Sequence, residues 1–574
     1  MAMENRRAVV LSTAVVFGFL LVGLRLADLM LLDHVKLAAK ARRQQQVQVD
    51  LNVNRGLILD RRGRPLAMNV DAYSVYARPF RVQKTQLVSA ALSEATGRSY
   101  DKLMASLSSD RSFVWIKRKM DSESMERLKG MGLEGVGFIP ESKRIYPKGK
   151  LASHLIGFVG VDNQPLEGLE LKYDDDLRGE VRKVLVSKDA TGRTLSEGFD
   201  VQSRGNGLVL TIDEGLQFIA ERALDRVIVT WDASSAIAVM MDPYNGEVLA
   251  MASRPTYDLN SPGSYKASSR RNRAITDPYE PGSTFKVVTA AAALEEEVVT
   301  PATEFDVSAG YIDVGPMRIY DTHRQDRIMF TDVIKTSSNV GAIQIGNLLD
   351  DSTFHGYIKK FGFGSRTGID LPGEAPGKVR NPERWSDTSH AAVSIGYEVA
   401  VTPLQILRAY AAVANGGWLV TPHVVKEVIS SDGAVLRQFN PGLGEQVIST
   451  HTANTLKDIL ISVTQDGGTA REASIEGNLV AGKTGTTRLI DPETGAYSKE
   501  RYASSFVGFV PADNPRFALV VVVFEPKEQY YGGKVAAPVF REIASQSLAY
   551  MNVPRDDIFK KNILLVKGGD YQAR

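Results

Sequence analysis

Cysteine is absent from the 574 residues, which excludes disulfides, thiol catalysis and thiolate metal sites. The absence fits a bacterial protein working outside the cytoplasm. An excess of either charge is missing too: 69 Lys and Arg face 67 Asp and Glu, a formal net charge of +2 that offers no global attraction for a polyanion. No nucleic-acid partner is therefore expected. Internal repeats and long low-complexity tracts are missing. With 43% hydrophobic and 24% charged residues, the composition is globular rather than disordered. The length predicts about two to four domains.

One long apolar run is present. Residues 8–24 carry no charge, and after Arg25 the stretch 26–32 extends the run to about the length that spans ~30 Å of hydrocarbon, with Arg25 placed to snorkel. A single uncleaved transmembrane helix over 8–32 is expected, with a tail of residues 1–7 before it and a linker of 33–47 after it. Ala39-Lys40-Ala41 has the small-x-small form of a cleavage site, but it lies well beyond the first apolar run and beside Arg42 and Arg43. Counting cations does not orient the helix, because Arg6 and Arg7 on one side oppose Lys36, Lys40, Arg42 and Arg43 on the other. Gly18, Gly23 and Ala27 would let a partner helix approach, and Arg25 is costly against lipid unless it snorkels or finds a polar partner.

Beyond the anchor, the alternation of Val47, Val49, Leu51 and Val53 predicts a strand leading to Arg55-Gly56-Leu57-Ile58-Leu59-Asp60-Arg61-Arg62-Gly63, whose last four residues read as a turn. From there to residue 205, short strands and helices mix with exposed charge, including Asp174, Asp175 and Asp176, and no catalytic constellation is visible. A second regime opens near Gly207 with a strand at 208–212, a helix at 217–227 and a hairpin at 236–251. Helices at 284–297, 332–349 and 403–415 occupy the middle, and strands at 479–486, 503–510 and 517–524 close the pattern. The predicted class is α+β, a large domain with an antiparallel sheet built from both ends of the region and helices between.

Three short elements carry chemistry. Pro281-Gly282 is a turn before a helical run, so Ser283 begins a helix and Lys286 lies about one turn on; a desolvated lysine there could take the serine proton, while unpaired N–H groups face a developing oxyanion. The pattern recurs at Ser99 and Lys102, read as a solvated surface segment, so S-x-x-K alone is unspecific. Ser337-Ser338-Asn339 interrupts a helical stretch; Ser and Asn there could relay a proton and orient an amide, or simply cap a helix. Lys483-Thr484-Gly485-Thr486 reads as an extended edge offering a cation, hydroxyls and backbone groups, with Gly485 leaving room for a peptide. Residues 477–484 also fit the phosphate-loop pattern G-x-x-x-x-G-K-[ST], but the apolar Leu479-Val480-Ala481 lies inside the motif and turn residues follow it where a helix is needed.

The order S-x-x-K, S-x-N, K-T-G is the serine β-lactamase and penicillin-binding set. From about residue 48 the chain resembles the class B penicillin-binding proteins, peptidoglycan D,D-transpeptidases. The resemblance rests also on the 55–61 stretch, Glu167-Gly168-Leu169-Glu170, Glu280-Pro281-Gly282, Val401-Thr402-Pro403-Leu404-Gln405, Ala414-Asn415-Gly416-Gly417 and Ala536-Ala537-Pro538. Asn272-Arg273-Ala274-Ile275-Thr276-Asp277 and Ser338-Asn339-Val340-Gly341 look like the division-specific, FtsI-type branch.

The resemblance implies a cytoplasmic tail, one inner-membrane anchor and an extracytoplasmic body. It implies a pedestal (dimerisation-type) domain at 48–205, a transpeptidase domain at 206–550 and a tail at 551–574, with no room for the appended repeat domains of some relatives. It also implies that Ser283 is the acylated nucleophile, Lys286 its base and Ser337 a proton relay to the leaving D-alanine. Asn339 and Thr486 would hold the stem peptide, Lys483 and Thr484 the carboxylate side, and the N–H groups of Ser283 and Thr486 the oxyanion. No metal or cofactor is implied. Implied partners are D-Ala-D-Ala donor and amine acceptor stem peptides, β-lactams, and a SEDS-type glycan polymerase with other membrane proteins of the divisome. A D,D-carboxypeptidase or β-lactam hydrolase shares the acylation half of this machinery, and a β-lactam-binding sensor or scaffold shares its binding.

Overall fold

The computed structural model describes residues 2–32, 36, 46–50, 54–179, 183–187, 204–491 and 493–555. The linker expected at 33–47 lies outside these apart from residues 36, 46 and 47, as does the tail beyond residue 555. Two compact units result: Met1–Asn54 with Gly179–Arg204, and Arg55–Arg178 with Gly205–Arg574.

In the first unit, Ala2–Ala27 is an α-helix that continues as a π-helical turn, Asp28–Leu32. Within it Val9–Met30 is long and apolar enough to cross a membrane, and none of it is buried, as suits a single-pass anchor. Arg25 pairs with Asp28 one turn on, so the charge that sequence left in search of a polar partner finds one on its own helix. Val47 and Val49 of the alternating segment lie in the strand Gln46–Asp50, antiparallel to Lys183–Ser187, while Leu51 and Val53 lie outside the described residues.

The second unit is organised by two sheets. The 13-residue strand Pro65–Ala77 pairs with Val114–Met120 and Val136–Ile145, and helices Thr85–Thr96, Tyr100–Leu107 and Ser122–Gly130 cover a small core that includes Val75, Leu92, Leu103, Ile116 and Leu128. The same sheet runs on through Ile58–Leu59 to Gly207–Leu210 and Val425–Ile429, so the pedestal is continuous by backbone pairing with the region that follows it. The turn at Asp60 locks this junction. Its buried carboxylate accepts from the backbone of Arg62 and Arg64 and from Glu214 N–H at 3.2 Å. Asp213 caps the helix Glu214–Trp231 and receives Arg62 and Tyr550.

The second sheet has the strand order Ala481–Ile490, Tyr497–Val510, Phe517–Phe524, Ser235–Met241, Val248–Arg254, antiparallel throughout and drawn from both ends of the domain as expected. Its central strands read as unbroken apolar runs because both faces are covered. Ala236, Ala238 and Met240 pack with Leu224 and Phe540 of helices Glu214–Trp231 and Gly532–Tyr550, whereas Ile237, Val239 and Met241 join the core of Leu404, Leu407 and Val287 on the other face. The helix expected at 332–349 is broken in two, Phe330–Lys335 and Asn339–Gly346, because Ser337 adopts the left-handed region at φ 64°. Of the three aspartates expected to be solvated, only Asp175 is; Asp174 pairs with Arg55 and Asp176 with Arg437.

Glu170 is buried and carries the pedestal's internal charge balance. It accepts from Arg55 Nε at 2.9 Å and Arg144 Nε at 2.7 Å, both guanidiniums being buried as well. Removing one partner of such a set strands the others in a dry site. Glu170→Ala is expected to lower unfolding stability by about 3–5 kcal/mol, read as a fall in denaturation midpoint, while Asp175→Ala on the solvated rim leaves it within about 0.5 kcal/mol.

Candidate active site

Ser283 sits in a 3₁₀ turn, Gly282–Phe285, that feeds the α-helix Lys286–Glu295. The turn needs glycine before the serine: Gly282 has φ 55°, its N–H donates to Gly396 O at 3.0 Å, and a Cβ there would stand 2.6 Å from Thr487 Oγ1. Every residue from 281 to 290 is buried except Ser283, which is half-exposed. The helix is apolar on all sides because it passes through the core, and Ala290, Ala291, Ala292 and Ala293 keep it thin enough to do so.

Lys286 is therefore cut off from water. Its Nζ donates to Ser337 O at 2.8 Å, Ser338 O at 3.1 Å and Asn339 Oδ1 at 2.8 Å, with Ser337 Oγ at 3.4 Å. Burial pulls its pKa down to about 7, against the opposing influence of Asp321. Ser338 is the helix cap, its Oγ accepting from Gly341 N–H at 2.9 Å, while the flanking Ser337 and Asn339 are half-exposed. The capping role thus falls to Ser338, while Ser337 and Asn339 line the cleft. Asn339 is more occupied than sequence implied: Oδ1 takes Lys286 and Nδ2 donates to Tyr320 O at 3.0 Å.

The strand Ala481–Ile490 closes the site from the other side. Thr484 and Thr486 share one face and line a cleft of about 570 Å³ together with Ser283, Ser337 and Asn339. Thr486 Oγ1 accepts from Gly532 N–H at 2.9 Å, and Thr484 Oγ1 meets Thr469 Oγ1 at 3.0 Å. Lys483 lies on the opposite face, fully buried; burial first, and then the nearby Lys286, hold its pKa well below the usual range. Its recorded hydrogen bond is a long one, to Thr484 O at 3.5 Å, and neither lysine has an ion pair among the described residues. Gly485 serves the scaffold at least as much as a ligand, since a Cβ would stand 2.9 Å from Pro281 O and 2.4 Å from Ser505 Oγ, so its bareness lets the strand press against the Ser283 turn.

Ser99, at the start of helix Tyr100–Leu107, and Lys102 are both exposed, as expected of a surface match. Residues 477–484 enter a strand rather than a helix, which removes the phosphate-loop reading. Sequence reasoning missed Asp321, whose carboxylate holds the 337–339 triplet, and an aromatic wall on the cleft: Tyr397 and Tyr531 line it, with Tyr530 stacked on Tyr502 at 4.1 Å. The pair Tyr530-Tyr531 before two glycines was visible, but nothing in its spacing tied it to Ser283.

Comparison with known proteins agrees with this geometry. The family profile for the penicillin-binding protein transpeptidase domain matches residues 236–545, and that for the penicillin-binding protein dimerisation domain matches 50–210. Stage V sporulation protein D of Bacillus subtilis is 36% identical over 95% of this chain and 86% of its own length. Peptidoglycan D,D-transpeptidase FtsI of Escherichia coli is 34% identical over 92% and 88%. The crystal structure of penicillin-binding protein 3 from Mycobacterium tuberculosis in complex with aztreonam superposes with a TM-score of 0.70 at 28% identity, covering 88% of this chain and 97% of that one. A transpeptidase fold joined to a dimerisation domain, with both profiles and whole-length relatives in agreement, places the chain in the class B penicillin-binding proteins, the serine transpeptidases of that name.

Proposed function

We propose that this enzyme is a peptidoglycan D,D-transpeptidase of the cell-division type, in which Ser283 forms an acyl-enzyme with the donor stem peptide and passes it to an amine. The observation that carries the reading is the convergence of Ser283, Ser337 Oγ, Asn339 and Thr486 on one cleft with a lysine of depressed pKa one turn behind the serine. Neutral Lys286 takes the Ser283 proton as Oγ attacks the penultimate D-Ala carbonyl. The N–H groups of Ser283 and Thr486 receive the oxyanion. Collapse breaks the amide C–N bond, and the proton returns through Ser337 Oγ to the departing D-alanine nitrogen. The acceptor amine then attacks the ester, its proton restoring the serine hydroxyl. In a β-lactam the broken C–N bond belongs to a ring, so the leaving nitrogen stays tethered and the ester persists.

Asn339 and Thr486 hold the stem peptide, and Thr484, with Lys483 behind it on the buried face of the strand, supports the carboxylate side. No cofactor takes part. The chain divides into a cytoplasmic tail (1–7), a span (8–32), a linker (33–47), a pedestal (48–205), a transpeptidase domain (206–550) and a tail (551–574), with the catalytic body outside the inner membrane where peptidoglycan lies. The span also contacts a SEDS-type glycan polymerase and other divisome membrane proteins; a Cβ on Gly18 or Gly23 would meet nothing within 4 Å among the described residues, which leaves room for another helix to approach.

Incubation with a β-lactam is expected to add one mass equivalent, mapped to Ser283, and none to the Ser283→Ala chain; an adduct at Ser99 would sink the assignment. With a D-Ala-D-Ala ester and an amine acceptor, the aminolysis product is expected to exceed the hydrolysis product, and exclusive hydrolysis would favour a carboxypeptidase. Lys286→Ala is expected to slow acylation on the order of 10²- to 10⁴-fold.

Replacing residues 8–32 with an unrelated transmembrane helix of equal length, with Ser283 acylation as the folding control, is expected to abolish co-purification with the polymerase. Retention of both co-purification and division at parental levels would reduce the span to a tether.

A further inference from the structure

Asp321 belongs to no motif and to neither helix flanking the 337–339 triplet, yet both of its carboxylate oxygens are committed there. It follows the hairpin formed by Tyr311–Val314 and Met317–Tyr320. Oδ1 accepts from the backbone N–H of Asn339 and, at 3.0 Å, from that of Val340. Oδ2 accepts from Ser338 Oγ at 2.6 Å. Asn339 and Val340 open the helix Asn339–Gly346, whose first N–H groups have no intrahelical acceptor, and an anion at that end also meets the positive pole of the helix. The same hairpin end supplies Tyr320 O to the Asn339 side-chain amide.

The triplet needs an external hold. Ser337 lies at φ 64°, a region that a serine occupies at a cost unless its surroundings fix it. Its carbonyl, the Ser338 carbonyl and the Asn339 amide oxygen are the three short contacts of Lys286 Nζ. The hairpin end therefore grips the triplet from outside, and the triplet grips the lysine from within.

We propose that Asp321 is a positioning residue for acylation: its carboxylate clamps the 337–339 turn so that the two carbonyls and the Asn339 side chain hold the Lys286 amine one turn from Ser283. The proposal rests on Lys286 being the base for Ser283. Burial lowers the pKa of that amine, and the Asp321 carboxylate at the hairpin end opposes it. Loss of the Asp321 charge leaves the effect of burial unopposed and favours the neutral amine further, while loss of the clamp lets the amine wander.

The test measures second-order acylation constants of the full-length chain with a β-lactam across pH, for parental protein, Asp321→Asn and Asp321→Glu, with thermal unfolding alongside. Asp321→Asn is expected to be folded and to acylate about 10- to 100-fold more slowly, the scale set by losing one or two charge-assisted hydrogen bonds. The acid limb of its profile is expected to move to lower pH. Asp321→Glu keeps the charge and is expected to restore the limb's position with part of the rate. A parental rate in Asp321→Asn, or a slower rate on an unmoved limb, overturns the proposal. If Asp321→Asn does not fold, Ser338→Ala, which deletes the 2.6 Å contact, carries the test, and a parental rate there overturns it equally. Parental labelling of Ser283 that is lost in Lys286→Ala is the control. Failure of the control removes the base assignment itself, whereas its success beside an unaffected Asp321→Asn removes the clamp alone.

Discussion

The enclosure of the Lys286 amine is the constraint on which the rest of this site depends. A serine hydroxyl is a poor nucleophile without a neighbouring base, and an ordinary lysine at pH 7 is almost wholly protonated. Burial that lowers the pKa from 10.5 to about 7 raises the neutral share at pH 7 from about 1 in 3,000 to about one half. A second buried lysine, Lys483, is held well below its usual range by burial and then by Lys286. The cost of stranding these groups is offset by a scaffold whose centre is a sheet buried on both faces.

That scaffold explains why the nucleophile comes from a helix and the opposite wall from a strand. Helix Lys286–Glu295 is buried on all sides and positions the lysine; the edge strand Ala481–Ile490 offers unpaired backbone to the cleft and can lie close to the helix start only because Gly485 carries no side chain. Gly282 fills the matching role on the helix side. Among the described residues the pedestal contributes none to the cleft, yet it is tied into the catalytic region by a continuous sheet and by the Asp60 and Asp213 carboxylates. The Asp60 turn is thus hydrogen-bonded to the N-terminus of a helix that packs directly on the catalytic sheet.

Sequence made the α+β architecture legible because its strands are long and apolar, and Phe517–Phe524 was bounded to the residue. The three motifs were legible because nucleophile, base and edge strand must be short local patterns. What escaped was non-local. Asp321 reaches the 337–339 triplet from a hairpin sixteen residues upstream, and no period or spacing marks it. The orientation of Lys483 escaped for a different reason: alternation along a strand fixes which residues share a face, but only packing decides which face meets the cleft. The break at Ser337 was anticipated from Ser and Asn chemistry, whereas its left-handed backbone was not, because serine has no preference for that region.

The central claim is that acylation is driven by a neutral, buried lysine, and the pH dependence of Ser283 acylation in the parental enzyme tests it most directly. With a β-lactam whose own ionisation is constant over the range, the second-order constant is expected to rise through a single acid limb centred near pH 7 and then level off. A limb near pH 10, or a rate indifferent to pH between about 5 and 9, would show that Lys286 is an ordinary ammonium or a bystander, and would contradict the account.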